Sequence, residues 1–160
     1  MLGLSYDWNK LNDLVDDMAP AGSTNQPIGL VWAWQSLVGG GPLTAPAKDP
    51  NYIYSDVIIL MSDGLNTQNR WWGNGSATST SVDKRMYDAS SGGRGTCANA
   101  KAAGVIIYTV HVNTGGDPTS TLLQNCASGS DKFTEIKSAN QLISTFESIG
   151  TALSKLRIAN

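Results

Sequence analysis

Hydrophobic residues near the start of the chain recur at helical spacing and predict two helices. The first covers residues 8–18, with Asp7 in position to cap it and Pro20 to end it. The second runs from about Gln26 to Val38 and has Pro27 in its first turn. Because the apolar residues of this second helix spread around its circumference, we expect it to be largely buried.

Two unbroken apolar runs predict strands. Residues 57–61, which begin at Val57 and end at Met61, are rich in β-branched residues and lack polar alternation, so this strand is predicted to be buried on both faces. Residues 105–112 predict a second buried strand. Four further elements are predicted from capping residues and local pattern: a helix over 96–103, a helix opened by Asp117 and Pro118 that ends near Ala127, a short edge-type strand over 132–136, and a last helix capped by Ser138.

The order of these elements predicts the fold class. Strands that alternate with helices of this length are usually parallel and joined by right-handed crossovers. We therefore expect an α/β fold, an open and mainly parallel sheet with helices on both faces, in a single domain over residues 1–160. Residues 66–81 are predicted to be a long surface loop, a candidate binding loop that contains Asn66, Trp71 and Trp72. The two tryptophans either form a contact patch or fold back onto the domain.

Composition narrows the classes of function. The net charge is -2, only 15% of residues are charged, and no basic block is present, so nucleic acid and anionic membrane surfaces are poor partners. No apolar run is long enough to span a bilayer, and residues 1–7 do not have the pattern of a signal peptide. The many Gly, Ser, Thr and Asn residues are more typical of an exported protein than of a cytosolic one.

Side chains with oxygen atoms follow the first predicted strand and precede the second helix. Ser62, Asp63 and Gly64 lie at the carboxyl end of the strand, where ligands bind in open α/β sheets. Thr24 and Asn25 lie in the loop just before the helix. One carboxylate, hydroxyl groups and retained water suit a hard divalent cation such as Mg²⁺. The alternative is that the Ser-Asp-Gly segment is only the turn after a strand.

With these segments placed, the sequence resembles a known family over nearly its whole length. The Gly-Ser-Thr-Asn segment at residues 22–25 and the strand ending in Ser-Asp-Gly at 62–64 resemble the second and third metal-site motifs of a von Willebrand factor A domain. Residues 97–110, 122–128 and 149–157 resemble TadG-like proteins of bacterial tight-adherence (Flp) pilus assembly.

The resemblance implies a metal site. Thr24 and Asp63 would hold Mg²⁺ or Ca²⁺, with Ser62 and Asn25 in support. The family's Asp-x-Ser-x-Ser motif and its first three strands have no counterpart here, and the similar spacing that starts at Asp117 is better explained as a helix cap. We therefore expect an N-terminally truncated domain that binds the metal weakly or not at all. The strand at 57–61 would also lose a neighbour, and its open apolar edge predicts dimerisation or strand exchange.

The two cysteines, Cys97 and Cys126, suggest one disulfide and hence an oxidising compartment. Such a disulfide would close a loop of about 30 residues and stabilise the fold by roughly 3–4 kcal/mol. Two buried thiols are the alternative.

Enzymatic function is not favoured. His111 is the only histidine and lies near the end of an apolar strand, which predicts a core or strand-end residue. No Cys-x-x-Cys pair, phosphate-binding loop with lysine, or Ser-His-Asp order is apparent. The resemblance implies a protein-binding or adhesion module of the pilus system, in the periplasm or at the cell surface and tethered by sequence outside residues 1–160. The alternatives are a metal-free, self-associating remnant and, last, a hydrolase that uses Asp63.

Overall fold

The computed structural model describes residues 2–19, 21–39, 42–43, 45–67 and 80–156. Its three strands form one parallel sheet in the order β1-β2-β3, with β1 at Val57–Ser62, β2 at Ile106–Val112 and β3 at Phe133–Ile136. Along β1 and β2 the register runs from Val57 opposite Ile106 to Ser62 opposite His111. The predicted α/β fold with an open parallel sheet is confirmed. None of the helices in these ranges is long and apolar enough to cross a membrane.

Six α-helices lie within the described residues: α1 at Trp8–Asp16, α2 at Gln26–Val38, α3 at Thr80–Met86, α4 at Thr96–Ala102, α5 at Thr121–Cys126 and α6 at Asn140–Leu156. The helix α3 was not predicted, because its first residues belong to the polar stretch that was assigned to a loop. Val82 and Met86 are spaced by one helical turn and are both fully buried, and this burial holds α3 against the core.

The core has one cluster on each face of the sheet, so helices cover both faces. On one face, residues from α2, α3, α4 and α5 pack against alternate residues of β1 and β2, including Ile58 and Ile107. On the other face, Ile149 of α6 packs with Tyr108, Val110 and Ile136. Residues of β1 and β2 that lie directly opposite each other share a face, because side chains alternate along a strand.

Two burial predictions are wrong. The strand β1 is buried on one face only, since Ile58 is 4% exposed while Ile59 is 38% and Met61 50% exposed. The reason is that α6 covers β2 and β3 but leaves the corresponding face of β1 open. The helix α2 is not largely buried either. Leu30 on its inner side is inaccessible to solvent, whereas Ile28 on its outer side is 52% exposed.

The N-terminus of α5 also differs from prediction. The cap of α5 is Ser120, whose Oγ accepts a hydrogen bond from the Leu123 N–H at 3.2 Å. Asp117 lies outside the helix, where its backbone N–H donates to Asn113 Oδ1 at 2.8 Å. Residues 118–120 therefore separate the predicted cap Asp117 from the first residue of α5. The helix α6 begins at Asn140, and Gln141 Oε1 accepts the Ser138 N–H at 3.1 Å, the contact that a Gln side chain in the first turn makes with the backbone of a capping residue.

Candidate functional site

The two segments with the candidate metal ligands run beside each other at the carboxyl end of β1. The Thr24 N–H donates to Thr67 Oγ1 at 2.8 Å, and the Thr67 N–H donates back to the Thr24 carbonyl at 2.9 Å. Gly22 opens the first segment with a φ of 83°, a left-handed conformation that favours glycine. The fold therefore brings the residue 22–26 loop against the residue 62–67 loop, although 43 residues separate Thr24 from Thr67 in sequence.

Gln26, the first residue of α2, joins the helix to the end of β1. Its Nε2 donates hydrogen bonds to Ser62 Oγ at 2.9 Å and to the Gly64 carbonyl at 2.8 Å. Its Oε1 is buried and has no hydrogen-bond partner within the ranges that the structure describes. Ser62 is itself buried, and its hydroxyl lies within hydrogen-bonding distance of the Gly64 carbonyl at 3.1 Å. Because these contacts define the turn after β1, Asp63 is held on a fixed backbone.

Asn66 connects this turn to two helices. Its Oδ1 accepts the Gln26 N–H at 2.7 Å, and its Nδ2 donates to Asp83 Oδ1 at 2.7 Å. The side chain is only 2% exposed. Asn66 therefore positions α2 and α3 around the site rather than facing solvent. The other two residues of the predicted binding loop, Trp71 and Trp72, lie outside the described residues.

The oxygen atoms near Asp63 form an incomplete set for a divalent cation. Asp63 is exposed and supplies one carboxylate, but Ser62 is engaged with Gln26 and Asn25 caps α2 by accepting the Ile28 N–H at 3.4 Å. Within residues 2–67 and 80–156, apart from the gaps given above, no three His, Cys, Asp or Glu side chains are grouped to hold a metal ion. Since Mg²⁺ and Ca²⁺ need six or more oxygen ligands, these residues do not by themselves fit a tight site.

A second polar network lies at the carboxyl ends of β2 and β3. Asn113 Nδ2 donates to Glu135 Oε1 at 2.6 Å, and Thr119 Oγ1 donates to Glu135 Oε2 at 2.9 Å. These hydrogen bonds hold the pKa of the Glu135 carboxyl below its ordinary value. His111 is 2% exposed, and its Nδ1 accepts the Ser120 N–H and lies 3.6 Å from Glu135 Oε1. The strand-end histidine is as predicted, but the network around it was missed, because its members are spread over residues 111–135.

Cys97 of α4 and Cys126 of α5 form the predicted disulfide. Both residues are fully buried in the core cluster of the α2–α5 face. Beside them, Lys101 Nζ donates to the carbonyls of Asn125 and Ala127 at the end of α5, and partial burial lowers the pKa of this lysine. The disulfide and the lysine therefore fix α4 against α5, away from the loops around Asp63.

An apolar groove of about 760 Å³ borders the site on the outer side of α2. Its lining includes Asn25, Ile28, Val31, Trp32, Arg85 and Asn99. Asn25 belongs both to this groove and to the loop that pairs with residues 62–67. The groove combines the side chain of Arg85 with the exposed aliphatic side chains of Ile28 and Val31.

The comparisons with known proteins bear on the fold. No protein-family model matches the sequence, and no curated protein is similar to it. Two crystal forms of proximal thread matrix protein 1 from the mussel byssus share the fold, each with a TM-score of 0.51 and with sequence identities of 18% and 19%. The match covers 88% of this chain but only 27% and 28% of the byssus chains. At this identity the likeness shows a common α/β fold, and this chain spans about a quarter of the byssus protein.

Proposed function

We propose that the chain is a non-enzymatic protein-binding module whose binding face is the carboxyl end of β1. The observation that carries this proposal is that Asp63 is exposed at the tip of a turn that buried hydrogen bonds of Gln26 and Asn66 hold in place. A carboxylate on a fixed backbone loses little conformational entropy when a partner binds it. The adjoining groove of α2 adds apolar surface, which binding to a protein partner would bury.

The resemblance to von Willebrand factor A domains and TadG-like proteins supports a more specific assignment. On that basis the partner is a component of a bacterial tight-adherence pilus or adhesion system, in the periplasm or at the cell surface. A buried disulfide is compatible with an oxidising compartment of this kind.

A divalent cation would act in this face only together with the partner. Thr24 and Asp63 supply a hydroxyl and a carboxylate, so most of the oxygen ligands of Mg²⁺ or Ca²⁺ would come from water and from a carboxylate of the partner. We therefore expect this chain alone to bind these ions weakly or not at all.

The test combines metal and partner titrations with an Asp63→Ala variant. Calorimetry should detect no micromolar binding of Mg²⁺ or Ca²⁺ to the unmodified chain, and micromolar binding that Asp63→Ala abolishes would contradict the expectation about the metal. Binding to purified tight-adherence pilus proteins should be lost in Asp63→Ala and retained in Asp16→Ala, a matched exposed aspartate on α1. Equal binding by both variants would refute the proposed face.

A second candidate function is metal-free self-association through the edge of β1, residues 57–61. The exposure of the apolar side chains of Ile59 and Met61 on this strand favours it. A chain that stays monomeric by light scattering at high concentration would rule this function out. That outcome does not depend on the partner-binding titrations with Asp63→Ala.

A further inference from the structure

The outer edge of β1 presents backbone groups that only another extended chain can satisfy in a regular way. Among the residues that the structure describes, β1 pairs with β2 alone and stands at the end of the strand order. The Asp56 carbonyl accepts the Ile106 N–H at 2.8 Å, so the even-numbered residues direct their backbone groups to β2. Val57, Ile59 and Met61 therefore direct their N–H and C=O groups outward.

This edge lacks the features that usually prevent strands from associating. Proteins protect edge strands with charged residues, proline, bulges or a covering element. The sequence of β1 is VIILMS, which contains neither a charge nor a proline. Its register with β2 runs without a bulge from Val57 to Ser62. Two of the outward-directed residues, Ile59 and Met61, also have exposed apolar side chains, whereas Val57 is partly buried against the cluster of Ile149.

We propose that the β1 edge pairs antiparallel with the β1 edge of a second copy of this chain, around a two-fold axis through Ile59. The result is one continuous six-stranded sheet in the order β3-β2-β1-β1-β2-β3, with both α6 helices on the same face. This proposal rests on the second candidate function above and specifies its partner and its geometry.

The register follows from the alternation of side chains and hydrogen-bonding groups. The outward-directed residues of one copy must oppose those of the other, because only then do their backbone groups meet and their side chains share a face. With the axis at Ile59, each Ile59 lies opposite its equivalent and each Val57 lies opposite Met61. This arrangement gives about six backbone hydrogen bonds between the copies, two for each opposing pair. Moving the axis by one residue would pair an apolar residue with Ser55 or Asp63.

The charges next to β1 are compatible with this register. Asp56 lies opposite Ser62 of the second copy, and Asp63 lies opposite Ser55, so no two carboxylates face each other directly. Asp56 is in addition neutralised within its own chain by Lys48, whose Nζ lies 2.7 Å from Oδ2. The contact is limited to one strand edge and belongs with interfaces below about 1,200 Å², so we expect a reversible dimer with a dissociation constant on the order of 10–1,000 μM.

Sedimentation equilibrium of the full chain measures the dimerisation constant and so tests whether the β1 edge is the dimer interface. Ile59→Pro removes an N–H that points outward, so it leaves the ladder between β1 and β2 intact and deletes two hydrogen bonds of the dimer. Ile59→Lys places two ammonium groups opposite each other on the axis. Each variant should weaken dimerisation about tenfold or more, while Val15→Lys, a matched substitution of an exposed apolar residue on α1, should not change it. If Ile59→Pro fails to fold, as judged by circular dichroism, Ile59→Lys decides the question.

Single spin labels test the register. Both native cysteines are in the disulfide, so a label attached to Val57→Cys or Met61→Cys is unique. With the axis at Ile59, the two Cα atoms of either site are separated by the same distance, about 14–15 Å, whereas an axis moved to residue 58 gives about 8 Å at residue 57 and about 21 Å at residue 61.

Each outcome decides one part of the proposal. Equal separations in a dimer that Ile59→Lys weakens would support it in full. A dimer with unequal separations would overturn the register but leave the second candidate function standing. Larger oligomers would indicate pairing between β1 and β3 edges and overturn the two-fold dimer. A chain that stays monomeric at all concentrations would overturn both the two-fold dimer and the second candidate function. The partner titrations with Asp63→Ala do not depend on any of these four results.

Discussion

Removing the disulfide between Cys97 and Cys126 should lower the stability of the fold by several kcal/mol. The two residues are 29 positions apart, so in the chain-entropy relation the cross-link lowers the entropy of the unfolded chain enough to stabilise the fold by about 3.6 kcal/mol at 25 °C. For a domain of this size, that difference corresponds to a fall in melting temperature of about 7–14 °C.

The assay compares urea unfolding of the oxidised protein with that of protein reduced while unfolded and refolded in reductant. Reduction has to begin in denaturant because both cysteines are fully buried. Cys97→Ala and Cys126→Ala, measured in reductant, give the separate contribution of core packing at each site, for which we expect about 1 kcal/mol. The difference between oxidised and reduced wild-type protein then isolates the cross-link.

A difference below about 1 kcal/mol between the unfolding free energies of the oxidised and reduced proteins would contradict this prediction. That result would mean that burial of the two sulfur atoms, and not closure of the loop, is what the cysteines contribute. It would also imply that the hydrogen bonds of Lys101 to the end of α5 are sufficient to hold α4 and α5 together.

Two further predictions concern the polar contacts at the carboxyl ends of the strands. Asn66→Ala should destabilise the protein by about 2–4 kcal/mol in urea unfolding, because it removes the hydrogen bonds that Asn66 makes with the buried Gln26 N–H and with the Asp83 carboxylate. The control Asn99→Ala, on an exposed position of α4, should change stability by less than about 0.5 kcal/mol, and equal effects would contradict the assignment. Glu135 has a lowered pKa when folded, so its stabilising effect is present above its ordinary pKa of 4.5 and is lost as the pH falls through the folded value. The stability of the wild type relative to Glu135→Gln should therefore fall on acidification below about pH 4.5, and a difference independent of pH would refute this.

Much of the fold could be predicted from local sequence pattern, because several signals for the same helix or strand occur together at its ends or along its length. The second helix has an asparagine cap, a proline in its first turn and a glycine at its end, and its observed bounds match the prediction. The strands β1 and β2 were recognised by uninterrupted apolar runs. What the sequence could not reveal was which faces other elements cover. A run such as that of β1 is compatible with burial on two faces, and only the position of α6 leaves Ile59 and Met61 exposed.

The candidate site was predictable in part. The order of the Gly-Ser-Thr-Asn and Ser-Asp-Gly segments, together with a parallel sheet, was enough to expect them near each other. The contacts that join them were not predictable, since amide side chains such as those of Gln26 and Asn66 carry no local signal for their distant partners. The cap of α5 was also mispredicted because a residue outside the local pattern decides it. Asp117 and Pro118 are a good local cap, but Asn113 takes the Asp117 N–H and the helix begins after Ser120.

The hydrogen bonds that hold the turn at Asp63 join residues 36 to 43 positions apart. Bringing such distant residues together costs conformational entropy, so these contacts depend on the packed sheet and helices that hold both loops. A synthetic peptide that copies either loop would therefore have none of the shape that the loop has in the intact domain. A partner that binds this face would consequently bind the completely folded protein and would not bind incompletely folded molecules.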